Sequence, residues 1–400
     1  AWLGDDRILL AIVKLIEDRM NVDADVAAAG VQVIVLVEDS VRYYSSYLPA
    51  IYRVLFQQAR NLMEEGLNEW EQTMRMRCRP KILLAHTFEE ASYLCDRYRD
   101  NLLGVISDVS YERDGEEDPQ AGLELCRRVQ ALDNSIPILL QSSDRRHKAH
   151  AEACGASYLY KHSKKLLYSL RRYIRQQYGF GDFLFRDPNT GEVVERVTDL
   201  RDMQHKIISV PSDSLIAHGA RNDVSRWFRA RALFSLADVA ANYQLDPEHI
   251  EQSKEEVYHL IGAYRRFESR GKIARFDRER YDEYTTFCRI GDGSLGGKGR
   301  GLAFIDHSLK ESRMRHAYED IVISVPQTVV LSTDVFQRFI EENNLVDLLT
   351  QGEPSDEEIL DRFVSSRFPE DTVEDLRTVL KVLGRPIAVR SSSRSEEHTS

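Results

Sequence analysis

Glu38, Asp39, Asp108, Ser142 and Lys161 are the residue types that handle a phosphoryl group: acids to gather a cation, a hydroxyl to donate, an ammonium to neutralise. Their positions make them a set. Each stands directly behind, or at the end of, a short apolar run: VQVIVLV (31–37), LLGVIS (102–107), IPILLQ (136–141) and SYLYK (157–161), with KILLAH (81–86) a further run of the same kind. If these runs are parallel strands, their carboxyl ends lie along one edge of a sheet, where ligands of open α/β sheets bind. Three carboxylates on one edge repel one another unless a divalent cation neutralises them, and an all-oxygen set suits Mg2+. Ser142 and Lys161 then complete a site for phosphoryl oxygens.

A second chemical signal lies in GDGSLGGKGRG (291–301). Glycines let the backbone come close to an anion and expose its N–H groups, Lys298 adds a cation, and LAFIDHSL behind it offers a helix start. A Walker A loop would need glycine where Asp292 stands and Ser or Thr where Gly299 stands, so that reading fails twice. Gly291, Gly293 and Gly296 have dinucleotide-fingerprint spacing, but the following apolar run ends in Ser324-Val325-Pro326, with no acid for a ribose.

The elements that must carry these residues can be read from the periodicity. The apolar runs alternate with amphipathic stretches, which predicts a (βα)5 doubly wound parallel sheet ending near Tyr178. The segment 41–77 after the first run is unusually long and reads either as one projecting helix, with Leu55, Leu62 and Trp70 available for dimerisation, or as a broken pair. Asp187-Pro188-Asn189-Thr190-Gly191 marks the turn of a hairpin. Two helices follow, one from Asn222 or Asp223 to about Tyr243 and one opened by Asp246-Pro247 and closed by Gly271. From Asp277 the pattern is α/β again, with strands expected at IVISV (321–325) and PIAVR (386–390). The arginines at 221, 226, 229 and 231 form either a docking face or a solvated helix face.

Residues 31–176 resemble response-regulator receiver domains. The resemblance implies that Asp108 is the phospho-acceptor, that Glu38, Asp39 and Asp108 hold Mg2+, that Ser142 bonds the phosphoryl group, that Lys161 pairs with it, and that Tyr158 is the family's aromatic switch. His162 replaces the proline that usually follows the lysine, and the loop YERDGEEDP is long and acidic. A phosphorylated receiver and an unphosphorylated docking module both fit these residues. LGGKGRGLAFI, ISVPQTVVLSTDVFQRFIEENNL and PIAVRSSS resemble, in order and spacing, the N-terminal ATP-grasp segment of phosphoenolpyruvate synthase and pyruvate phosphate dikinase. That resemblance spans 286–393 and implies ATP binding through Gly296, Gly297, Lys298, Gly299, Arg390, Ser391 and Ser392. The fold expectation is therefore α/β: a receiver-like domain, a hairpin plus helical linker over 177–285, and part of an ATP-grasp domain.

Composition sets the outer bounds. Hydrophobic residues make up 42% and charged residues 30% of 400, which is ordinary for globular chains. A net charge of −11 disfavours nucleic acid but not a nucleotide, which local amides and one or two cations can hold. The five cysteines show no metal or redox spacing, and no apolar stretch spans a bilayer, so a cytoplasmic protein without a membrane partner is expected. Residues 1–30 read as the tail of an upstream domain. RSEEHTS (394–400) coincides with the in-frame translation of a sequencing adaptor and is expected to be foreign.

The resemblances imply a phosphotransferase joined to a receiver, here as a fragment without the remaining half of the ATP site, so that this piece alone is inactive. A sensor histidine kinase would be the receiver's partner, and pyruvate or another phosphoryl acceptor a partner of the full-length protein only. The alternative is a signalling scaffold that uses the receiver for association.

Overall fold

The computed structural model describes residues 7–64, 78–312, 320–346 and 354–391. They form two compact units, one up to Ile261 and one from Gly262.

The first unit is built on β1 (Val33–Val37), β2 (Lys81–Ala85), β3 (Leu102–Asp108), β6 (Ile138–Ser142) and β7 (Ser157–Tyr160), all parallel, in the order β2-β1-β3-β6-β7. Taken as consecutive βα units this is the 2-1-3-4-5 order of flavodoxin-like folds, whose ligands bind where the order reverses. The strands read as unbroken apolar runs because both faces are covered. On one face Val33, Val35, Val37 and Leu140 pack under α3 (Phe88–Arg97), α4 (Ala121–Leu132) and α5 (His147–Ala153). On the other Ile34, Leu36, Ile106 and Leu139 pack under α2 (Val41–Glu64) and α6 (Leu166–Gln177). Leu55 and Leu62, expected on a dimerising surface, are buried in this unit's own interior; Trp70 lies outside the described residues.

The segment read as the tail of an upstream domain is a helix sewn into this unit. α1 (Arg7–Ala29) lies against edge strand β2 and contributes Ala11 to one core and Val22 to the other. The buried Asp18 carboxylate accepts from both terminal nitrogens of Arg79 (2.5 and 3.0 Å), from the Tyr52 hydroxyl (2.9 Å) and from the Ile82 backbone N–H (3.0 Å). A buried ion pair is tolerated only when its lone pairs and protons are satisfied, as here. The Ile82 N–H points off the open edge, so α1 also closes a row of backbone groups that would invite another strand.

Two features of this unit depart from the sequence expectation. The acidic loop behind Asp108 contains a hairpin, β4 (Tyr111–Arg113) with β5 (Glu116–Asp118), turned by Asp114 and Gly115, both at positive φ. The helix expected from 222 to 243 is two helices, Asp223–Arg229 and Phe234–Asn242, separated at Ala232, where φ is +58°. The break lets buried Arg231 stack on Trp227 and donate to the Gly179 and Gly181 carbonyls. Arg226 donates to the Ser135 carbonyl and Arg229 to that of Asp100. Three of the four arginines are therefore internal staples, not a docking or solvated face. The hairpin β8 (Phe183–Arg186) with β9 (Val193–Val197) forms around the Asp187 turn.

The second unit has a parallel sheet of β10 (Ala274–Arg275), β11 (Phe287–Ile290) and β12 (Thr328–Leu331). Cys288, Ile290, Tyr281, Val335 and Val379 form its core. The strand pairing with β11 is TVVL, not the IVISV run seven residues earlier, whose Ile321 and Val322 are exposed. PIAVR is exposed and outside any strand, with Val389 84% exposed. Both runs have strand composition, but a strand exists only where a neighbour supplies the ladder.

Candidate functional site

Glu38, Asp39 and Asp108 converge because β1 and β3 are adjacent and in parallel register, ending at the same edge. One oxygen from each carboxylate lies within 4.8 Å of the others. Lys161, one residue beyond β7, reaches across to donate to Asp108 Oδ2 (2.5 Å) and Glu38 Oε1 (3.0 Å). Its Nζ also sits 4.3 Å from the centroid of the Tyr43 ring. The backbone N–H of Val109 donates to Asp108 Oδ1 (2.7 Å), and that of Ser40 to Glu38 Oε1 (3.2 Å).

The electrostatics follow from burial in a like-charged cluster. Burial pushes the Glu38 carboxyl up to about 7; nearby Asp108 adds to this and Lys161 opposes it. Burial also raises Asp108 above the usual carboxylate range, against the pull of Lys161. Burial pulls the Lys161 ammonium down, but the two carboxylates outweigh it and its net shift is upward. The site is short of positive charge. Among the described residues Lys161 Nζ is the one cation shared by Glu38 (2.8 Å to Oε2, 3.0 Å to Oε1) and Asp108 (2.5 Å to Oδ2), so one positive charge faces three carboxylates. Three carboxylate oxygens gathered within 4.8 Å against a single ammonium fit a hard divalent cation such as Mg2+.

Ser142, at the end of β6, is turned toward α5: its hydroxyl is 2.9 Å from His147 Nδ1 and accepts from the Asp144 N–H at 3.0 Å. Tyr158 donates to the carbonyls of Asp144 (2.7 Å) and Ser142 (3.3 Å), tying β7 to the loop behind β6. Two contributors were not read from the sequence. His147 holds the Ser142 hydroxyl, and Gly122, in the first turn of α4, lies against the Asp108 carbonyl, where a Cβ would come within 2.1 Å. The only sequence signal for Gly122 is a glycine at the start of an amphipathic helix, which does not say what it touches.

In the second unit the glycine-rich loop leads into the helix Gly296–Glu311, with Gly296 and Gly299 buried and Lys298 exposed in its first turn. The first N–H groups of a helix have no intrahelical acceptor, and an anion can take them. The loop itself is clamped from the next element. Asp334 accepts from the N–H groups of Asp292 and Gly293 (2.9 Å each), and Thr333 Oγ1 accepts from that of Ser294 (3.0 Å). Gly291 and Gly293 are needed for this closeness, since a Cβ would meet Ser332 Oγ at 2.2 Å and Asp334 Oδ1 at 2.7 Å respectively. Arg390 and Ser391 are on the exposed stretch outside the sheet, and Ser392 lies outside the described residues.

Residues 292–400 match the family model described as pyruvate phosphate dikinase, AMP/ATP-binding domain, so this part of the chain is of an ATP-binding, kinase-related type. No curated protein matches the chain. Among solved structures, a putative response regulator from Chloroflexus aurantiacus aligns at 20% identity over 37% of this chain and 97% of its own, with a TM-score of 0.25. The Vibrio cholerae chemotaxis protein CheY4 aligns at 20% identity over 36% of this chain and 98% of its own, with a TM-score of 0.21. Among the described residues no helix is long and apolar enough to cross a membrane.

Proposed function

We propose that the chain joins a receiver phosphorylated on Asp108 to an ATP-binding domain of the phosphoenolpyruvate synthase and pyruvate phosphate dikinase type, the receiver governing the phosphotransferase. The observation that carries the receiver half is the gathering of the Glu38, Asp39 and Asp108 carboxylates, two of which pair with one buried lysine, Lys161. An Asp108 oxygen attacks phosphorus, the phosphodonor's leaving group departs, and Lys161 passes from the free carboxylate to a phosphoryl oxygen. Ser142 exchanges His147 for a second phosphoryl oxygen. Glu38, Asp39 and Asp108 would hold Mg2+, which when bound supplies the positive charge that the phosphoryl oxygens and carboxylates need.

Calorimetric titration with beryllium fluoride in Mg2+ tests this half. Wild type binds and Asp108→Asn does not; equal binding by both sinks the phospho-acceptor assignment. For the second half, the first turn of the helix Gly296–Glu311 and Lys298 support phosphate contact, with Arg390 as a second cation. Because half of the ATP site lies outside this piece, the titration uses the protein extended with its native downstream sequence, in which Lys298→Ala should bind ATP about tenfold or more weakly, the loss of one charge-assisted contact. Unchanged ATP affinity would mean the nucleotide sits elsewhere. If beryllium fluoride binds but the extended protein binds no ATP, the scaffold reading takes over.

A further inference from the structure

We infer that α1 is a dimerisation helix, and that its exposed stripe packs against the same stripe of a second copy of this chain. The helix is apolar on two opposite sides. Ala11, Leu15, Asp18, Val22 and Val26 face the sheet. At about 100° per residue, Leu9, Val13, Ile16 and Met20 fall on the reverse face, within an arc of about 60°. They are 66%, 58%, 55% and 77% exposed, with Leu10 and Ile12 beside them also exposed. A helix apolar on both sides belongs between two partners, and the sheet is only one of them.

The spacing of the outer stripe and the area it exposes both suit a second copy of this helix. Steps of four, three and four residues are those of a coiled-coil seam, the pattern by which one helix accepts side chains from another of the same kind. Such a seam is self-complementary, so a two-fold axis through it closes the assembly at two copies. The area agrees. With roughly 200 Å2 for each fully exposed side chain and its backbone, the six residues present about 700 Å2, so a pair can bury up to about 1,400 Å2, within the range of stable specific interfaces. Apart from Val41, the described apolar residues of α2 are buried or half-buried within the unit, whereas Leu9, Val13, Ile16 and Met20 of α1 are exposed, so the dimer is placed here on α1 and not on the 41–77 segment.

The test is sedimentation equilibrium of the 400-residue chain from about 1 to about 100 μM. Wild type is expected to sediment as a dimer. Val13→Glu and Ile16→Glu are each expected to raise the dissociation constant at least 100-fold, with circular dichroism and melting unchanged because both positions face outward. Asn21→Glu, exposed but off the seam, should leave the dimer intact. A wild type that stays monomeric across the range, or a dimer that persists in both seam variants, overturns the assignment.

Discussion

Behind Asp108, the helix α4 comes so close that only a glycine fits at position 122. Gly122 also donates its N–H to the Val109 carbonyl (3.0 Å), so the helix start and the acceptor strand are locked together. Gly122→Ala must push the Asp108 carbonyl away, and the carboxylate with it. The expected outcome is folded protein, destabilised by about 1–3 kcal/mol, whose beryllium fluoride affinity falls at least tenfold; unaltered affinity would show that the backbone gives way elsewhere. Asp108, Glu38, Asp39 and Lys161 were legible in the sequence because a parallel sheet brings every strand end to one edge, whatever the loops do. Gly122 and His147 were not, because their roles depend on a backbone approach and a side-chain direction that no residue pattern encodes.

At the scale of elements, the strands of the first sheet were readable to within a residue or two, since burial on both faces demands an unbroken apolar run. The β4–β5 hairpin was also written in the sequence, in the Asp114-Gly115 pair, but the acidic residues around it read as a loop. IVISV and PIAVR show the converse failure, in which composition named strands that form no ladder among the described residues, Ile321 making only a single bridge. The Ser332-Thr333-Asp334 start of the helix Thr333–Glu342 illustrates what replaces such ladders near the glycine loop. Burial pushes the Asp334 carboxyl up, but the Ser332 hydroxyl and the Asp292 and Gly293 amides outweigh it and hold it at about 2, below its ordinary 3.8. A depressed carboxylate contributes stability in full above its unfolded value and loses it as pH falls toward its folded value. Urea unfolding of wild type against Asp334→Asn should therefore show an advantage for wild type at pH 6 that shrinks between about pH 4 and 2. A pH-independent difference would mean that the clamp works by shape alone.

Over the whole molecule, unit one carries a complete five-strand sheet and unit two a three-strand sheet, which the alternation of apolar runs foretold in the first case and only partly in the second. What composition could not foretell is the order in which the pieces settle. The Asp18 carboxylate meets Arg79 and Ile82 across 61 and 64 residues of chain, so α1 leaves the ribosome well before its partners and must wait for them. Contacts of such separation cost loop-closure entropy before they return anything, and because α1 covers an edge strand that must already be paired on its other side, its docking is expected to follow the pairing of β1 with β2. Asp18→Asn strands a buried guanidinium and should cost about 3–5 kcal/mol. For a contact formed after the transition state, that loss appears almost entirely as faster unfolding, on the order of a hundredfold or more, with the refolding rate scarcely changed. Stopped-flow refolding slowed in proportion would instead make α1 part of the folding nucleus. On the late-docking account the helix acts as a latch on a finished sheet, and its opening, not the melting of the strands, sets how long the unit survives.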